Sequence, residues 1–186
     1  HRAALDLDNA GARSRLLRLI EGAQDTVHLQ TYMFEDDVVG QGIALALEAA
    51  GRRGVRVRVL VDSLHSRHGS LRMTSLVLER LALSPGVELR SARPVERLED
   101  LKRRDHRKVL DGRVGSVTGR NLGAPYYTGW DEVTLEPETV SRLVPWLDVG
   151  VEVEGPIVAA LDAELGRAWR RAGGGSTPPR SRWSGP

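Results

Sequence analysis

The segment 55–62 reads Val-Arg-Val-Arg-Val-Leu-Val-Asp. A strand that starts by alternating valine with arginine and ends wholly apolar belongs inside a covered sheet, where both faces are packed at that end. It follows a helical pattern from Val38 to about Arg53, which Gly54 ends. Ahead of that helix lies Thr26–Phe34, rich in β-branched and aromatic residues and therefore a strand. Residues 10–23 come first, with Leu16, Leu17, Leu19 and Ile20 set among Arg13, Arg15, Arg18 and Glu21, an amphipathic helix. Helix and strand alternating in this way predict parallel βαβ units and an α/β fold. A short helix over 74–83, a Pro85-Gly86 turn and a strand over Val87–Arg90 continue the pattern. Trp146–Val153 alternates as a strand, and Ile157–Arg171 closes the domain as an amphipathic helix begun by Pro156. Residues 1–172 are thus one domain, and the Gly/Pro/Ser-rich 173–186 is a linker or tail.

Composition narrows the chemistry. Forty per cent hydrophobic and 28% charged residues among 186 make an ordinary globular composition, which argues against wholesale disorder. The chain has no cysteine, so disulfides and thiolate catalysis are excluded. Its longest apolar runs fall far short of the ~20 residues that span a bilayer. No leader pattern is present, but the first residue is His1 rather than Met, which we read as the mark of a fragment.

Residues 105–123 carry the strongest chemical signal. Apolar and polar residues alternate on both sides of Asp111-Gly112, a hairpin pattern. His106 and Lys108 are two apart on the first arm and so share a face. Asn121 follows the second arm in Thr-Gly-Arg-Asn-Leu-Gly, where backbone comes close to a ligand. An imidazole, an ammonium and an amide converging on one spot suit an anion, phosphate first; an exposed polar hairpin is the plain alternative. Lys108 is one of only two lysines, the other being Lys102.

Other segments offer weaker signals. Tyr32 stands at the C-terminal end of its strand, where open α/β sheets bind ligands, and is expected to border a pocket. His28, in mid-strand, is expected to be a satisfied sheet residue. Glu35-Asp36-Asp37 is read as helix capping in preference to a metal site. His65 and His68 lie in a polar loop after a strand end and are assigned to substrate contact, not to zinc, since no cysteine or acid beyond Asp62 completes a ligand set. Residues 93–104, with Arg97, Lys102, Arg103 and Arg104, are a solvated surface or an attractor for anionic substrates and membranes. Tyr126, Tyr127 and Trp130 concentrate three of eight aromatics and are expected to pack over the hairpin.

Asp105-His-Arg-Lys108 with the later Gly-x-Asn resembles the His-x-Lys motif of the phospholipase D superfamily. Thr26–Phe34, Arg53–Asp62, Trp146-Leu-Asp148 and Val153-Glu-Gly-Pro156 resemble the amino-terminal half of bacterial cardiolipin-synthase-like members, so the likeness covers roughly residues 10–172. The resemblance implies a mixed, largely parallel sheet sandwiched between helices. It implies His106 as nucleophile or acid, Lys108 and Asn121 holding the phosphate, and Asp148 orienting the histidine. Asp111 joins the catalytic set and Arg120 the substrate-binding set, beside Tyr32 and His65. No metal and no cofactor is implied.

The family pattern has four residues between the Lys and the Asp, whereas only Val109 and Leu110 stand between Lys108 and Asp111. With an Asp111–Arg113 loop, Leu110 would face Val114 and His106 would face Thr118. That register slides Asn121 away from the pair by two residues, roughly 7 Å at ~3.3 Å each. The chemistry needs two His-x-Lys motifs and the chain carries one. The second is expected from a lost carboxyl-terminal half, or from a second copy across a twofold axis. Substrate expectations are a phospholipid first, with nucleic acid as the alternative, and a non-catalytic anion-binding domain as the reading from another class. The expected location is cytoplasmic or peripheral to the inner membrane.

Overall fold

A computed structural model describes residues 2–62, 75–92, 114–134, 136 and 144–175, and the strand backbone of 108–111. Seven strands form one sheet in the order β1-β7-β6-β5-β2-β3-β4. They are β1 (Arg2–Asp6), β2 (Thr26–Thr31), β3 (Arg56–Asp62), β4 (Val87–Ala92), β5 (Lys108–Asp111), β6 (Val114–Thr118) and β7 (Gly150–Glu154). The helices are α1 (Asn9–Gly22), α2 (Val38–Arg52), α3 (Leu76–Ala82), the single turn α4 (Ala124–Tyr127) and α5 (Ile157–Arg171).

The βαβ expectation holds for β2, β3 and β4, which pair in parallel. The other four neighbouring pairs are antiparallel, so the sheet is mixed with a smaller parallel share than expected. The reason is connectivity: β5 and β6 form a hairpin that enters beside β2, and β7, reached through the long 119–149 connection, returns between β6 and β1. β1 escaped the sequence reading, and Trp146–Val149 lies outside β7.

Both sheet faces are covered, as the apolar end of β3 demands. On one face Val27, Leu29, Val57, Val59 and Val61 pack against Leu16 and Ile20 of α1, Ile43 and Leu47 of α2, and Leu78 and Leu81 of α3. Truncating a buried leucine such as Leu47 in a core like this costs ~2–5 kcal/mol. On the other face α5 covers Leu60 with Ala168 and Trp169. Here His28 is buried and its Nδ1 lies 2.9 Å from Asp162 Oδ1. The Arg58 guanidinium stacks 5.1 Å over the Trp169 ring and donates to Glu88 at 3.1 Å, which is how an arginine is tolerated in a covered strand.

Asp37 caps α2. Its Oδ1 accepts from the amides of Val39 and Gly40 at 3.0 and 2.8 Å, the capping role read from the acidic run.

Candidate functional site

Strand direction brings the candidate residues to one end of the sheet. β2 runs toward Thr31, and β5 runs against it, so Lys108 starts β5 at the same end. β6 runs against β5 and ends there at Thr118, and β7 starts there at Gly150, opposite Thr118. The end row therefore reads Asp6, Gly150, Thr118, Lys108, and Thr31 one step beyond the Gln30–Val109 pair. Tyr32 follows Thr31, Asp148 precedes Gly150, and Asn121 follows Thr118 by three residues.

The hairpin register differs from the expected one. Leu110 faces Ser116 and Lys108 faces Thr118, two residues further along than a three-residue loop allows. Flanking strands set this register. Asp111 stays paired with His28 on β2, while Val114 and Gly115 stay paired with Glu154 and Val153 on β7. In this register Lys108 stands two strand residues, roughly 7 Å, nearer the Asn121 end than expected. Asp111 fares otherwise. It lies three residues along β5 from Lys108, roughly 10 Å toward the opposite end, in the row of His28. That position separates its backbone from the end row, where the catalytic set was expected.

Residues 119–123 wrap the end of β2. Leu122 N donates to the Met33 carbonyl at 3.0 Å, and its own carbonyl accepts from Glu35 N at 2.8 Å. Asn121 is thereby held beside the chain leaving Tyr32, which is buried. Asn121 is itself 5% exposed; its Nδ2 donates to the Tyr126 hydroxyl at 3.0 Å. Its Oδ1 is buried with no hydrogen-bond partner among the described residues. Leaving a buried carbonyl unpaired costs ~1–3 kcal/mol, so such an atom marks a place where a donor is expected.

Asp148 is fixed by its main chain and by a glycine. Its Oδ1 accepts from Val149 N at 2.7 Å, and its carbonyl accepts from Arg120 Nη2 at 2.8 Å. A Cβ on Gly119 would stand 2.8 Å from both Cγ and Oδ2 of Asp148, with Oδ1 closer still. The carboxylate therefore rests on the Gly119 backbone, two residues from Asn121. This is the close approach that the Gly-x-Asn spacing allows.

Arg120 departs from its expected role. It is 1% exposed, and its Nε donates to Asn9 Oδ1 at 3.2 Å. It also donates to the carbonyls of Asp6 and Asp148, and its Nη1 is 3.7 Å from the Asp6 carboxylate. It thus ties β1, the start of α1 and the Asp148 segment together, where a substrate contact was expected. Beside it, burial pushes the Tyr127 hydroxyl well above its ordinary range. A cleft between α1 and the sheet is lined by Thr31, Ser116, Thr118, Arg120, Tyr127 and Glu152.

Sequence reading missed Tyr126 and Asn9 as parts of this site. Asn9 donates to the carbonyls of Thr128 and Trp146 at 3.2 and 2.9 Å, and nothing in its spacing announces that. Glu35 borders the same segment. Burial, and secondarily the Asp37 charge, raise its pKa above the ordinary carboxylate value. His106, His65 and His68, and the basic run 93–104, lie outside the described residues. Among the described residues no cluster of three His, Cys, Asp or Glu could hold a metal ion, and no helix is long and apolar enough to cross a membrane.

The family described as cardiolipin synthase, PLD-like domain, matches residues 16–141. Cardiolipin synthase C of Escherichia coli is 32% identical over 165 residues, covering 82% of this chain and 32% of that protein. The major cardiolipin synthase ClsA of Bacillus subtilis is 32% identical over 164 residues, covering 85% and 31%. The chain spans about a third of the length of these curated relatives. Among solved structures, NucT from Helicobacter pylori superposes with a TM-score of 0.68 at 13% identity, covering 91% of this chain and 96% of that one. Nuc from Salmonella typhimurium, a phospholipase D family member, gives 0.63 at 17% identity, covering 97% and 100%. At these identities the two structures speak to the fold.

Proposed function

Since the chain belongs to the cardiolipin-synthase, phospholipase D-like domain family, we propose that it carries one half of a centre that cleaves phosphodiesters or transfers phosphatidyl groups through a phosphohistidine. The observation that supports this most is the end row of the sheet, where Lys108 starts its strand opposite Thr118, at the end from which the chain runs on to Asn121 and to which Asp148 leads. In this reading the neutral His106 imidazole attacks phosphorus. The P–N bond forms as the bond from phosphorus to the leaving alcohol breaks, and a second histidine protonates that alcohol. An incoming alcohol or water then gives its proton to the second histidine as it displaces His106. Lys108 and Asn121 stabilise charge on the non-bridging oxygens, and Asp148 holds the imidazole in the attacking tautomer.

The second histidine comes from a second His-x-Lys motif, in the rest of a longer chain or in another copy of this one. Phospholipid is the substrate we favour, because the matched relatives are cardiolipin synthases; the chain then works peripherally at the inner membrane surface. A homodimeric nuclease is the second reading. It draws on the NucT and Nuc chains, which a single domain of this size covers almost completely. Sedimentation equilibrium with turnover assayed on the same fractions, on phosphatidylglycerol vesicles and on single-stranded DNA, separates the readings. Lipid turnover with a second motif present supports the first reading, and DNA turnover by a dimer supports the second. Turnover of either substrate that survives His106→Ala refutes the site.

A further inference from the structure

The buried Asn121 amide is held from one side only. Its Nδ2 donates to the Tyr126 hydroxyl at 3.0 Å, while Oδ1 has no partner among the described residues. The Tyr126 ring in turn stacks on Trp146, with centroids 5.8 Å apart and planes 21° from parallel. Trp146 is 55% exposed, at the rim of the site and two residues ahead of Asp148. Its backbone is pinned at both ends: its N–H donates to the Pro125 carbonyl at 2.7 Å and its carbonyl accepts from Asn9 at 2.9 Å. The backbone of Trp146 is held, its indole stacks on the phenol, and the phenol hydroxyl accepts from the amide.

We propose that Tyr126 and Trp146 are positioning residues for phosphate capture, setting the orientation of Asn121 from the rim of the site. The inference rests on the phosphate-binding role given to Asn121 above. The phenol takes one of the two Nδ2 hydrogens and leaves the second as the donor for an anion, Oδ1 being an acceptor. Without the phenol the amide turns about its last torsion, and only part of its population then presents that N–H to the anion. Loss of one hydrogen bond of this kind corresponds to about a tenfold drop in affinity, ~1.4 kcal/mol. Trp146 acts through ring contact alone, so a second aromatic ring in its place should restore most of the effect.

The test is titration of the whole 186-residue chain with inorganic phosphate, following the side-chain amide resonances of Asn121 by NMR. Thermal unfolding of each variant checks its fold. Tyr126→Phe is expected to shift the free-state Asn121 signal and to weaken phosphate binding about tenfold. Trp146→Ala should act in the same direction, and Trp146→Phe should return both readouts to within about threefold of the original. If Tyr126→Phe fails to fold, the exposed Trp146 pair carries the same test. Asn121→Ala weakening phosphate while the Tyr126 and Trp146 variants do not overturns this inference and leaves the proposed function standing. A chain whose Asn121 signals ignore phosphate, or an Asn121→Ala variant that binds as before, overturns both.

Discussion

Gly119→Ala isolates the contact between the hairpin and Asp148. The glycine φ is not in the left-handed region, so alanine is compatible with the backbone, and the obstacle is space. A new Cβ would stand 2.8 Å from Asp148 Cγ and Oδ2, where ordinary contact begins near ~3.4–4 Å. The atoms in the way are the end of a side chain, so the carboxylate swings off by roughly 1 Å and loses its hydrogen bond to Val149 N. Stability should fall by only ~1–2 kcal/mol, one lost hydrogen bond plus slight overpacking. Turnover should fall about 100-fold, because a displacement of ~1 Å in an orienting group costs that order. Urea denaturation gives the first quantity, and kcat/KM on a phosphodiester, in the assembly that turns over, gives the second. A double-mutant cycle with Asp148→Ala is decisive. With no carboxylate to displace, Gly119→Ala should have almost no further effect on rate. Additive losses, or a large stability drop with unchanged turnover, would refute the reasoning.

Gly51→Ala offers the contrast, since its Cβ would fall on the Pro85 carbonyl oxygen and 3.2 Å from Val87 Cγ2, where backbone must move. It should lower stability by ~2 kcal/mol or more, read in urea, and leave phosphate affinity unchanged. Arg120→Met leaves the carbonyls of Asp6 and Asp148 and the Asn9 amide oxygen without this donor, while Arg15 still pairs the Asp6 carboxylate, and should cost at least ~1–3 kcal/mol, measured by thermal unfolding. Glu35→Gln tests the raised pKa. The folded state holds the Glu35 proton more tightly than the unfolded chain, so ionisation of Glu35 weakens the fold once pH rises above the unfolded value. The glutamine variant should therefore be the more stable at neutral pH, and the gain should vanish as pH falls below the ordinary glutamate pKa. A pH-independent difference would contradict the assignment.

What the sequence made legible follows from local physics. Val55–Asp62 announced a covered strand because its residue types demand burial, and Asp37 announced a cap because its position relative to α2 demands one. Register was not legible. It is fixed by β2 on one side of the hairpin and β7 on the other, both distant in sequence, while turn length alone suggested a slide. Trp146–Val149 alternates like a strand, yet Trp146 is drawn to Pro125 and Asn9 and leaves Leu147 83% exposed. Arg120 looked like an anion ligand because arginine beside the motif suits one. Only the fold reveals that Asn9, Asp6 and Asp148 surround it. Tyr126 stood out in the sequence only as one of an aromatic cluster, and its stack on Trp146, twenty residues away, was not legible there.

The central claim is that phosphorus passes through His106, and the most direct test is to look for it there. The species that turns over a diester is mixed with substrate, quenched in alkali to preserve phosphoramidates, digested and analysed by mass spectrometry. The account predicts an adduct on the peptide containing His106, or on the matching histidine of the second motif with His106 then required as the acid, and loss of turnover in His106→Ala. An adduct on any other residue, or full turnover without His106, would contradict it.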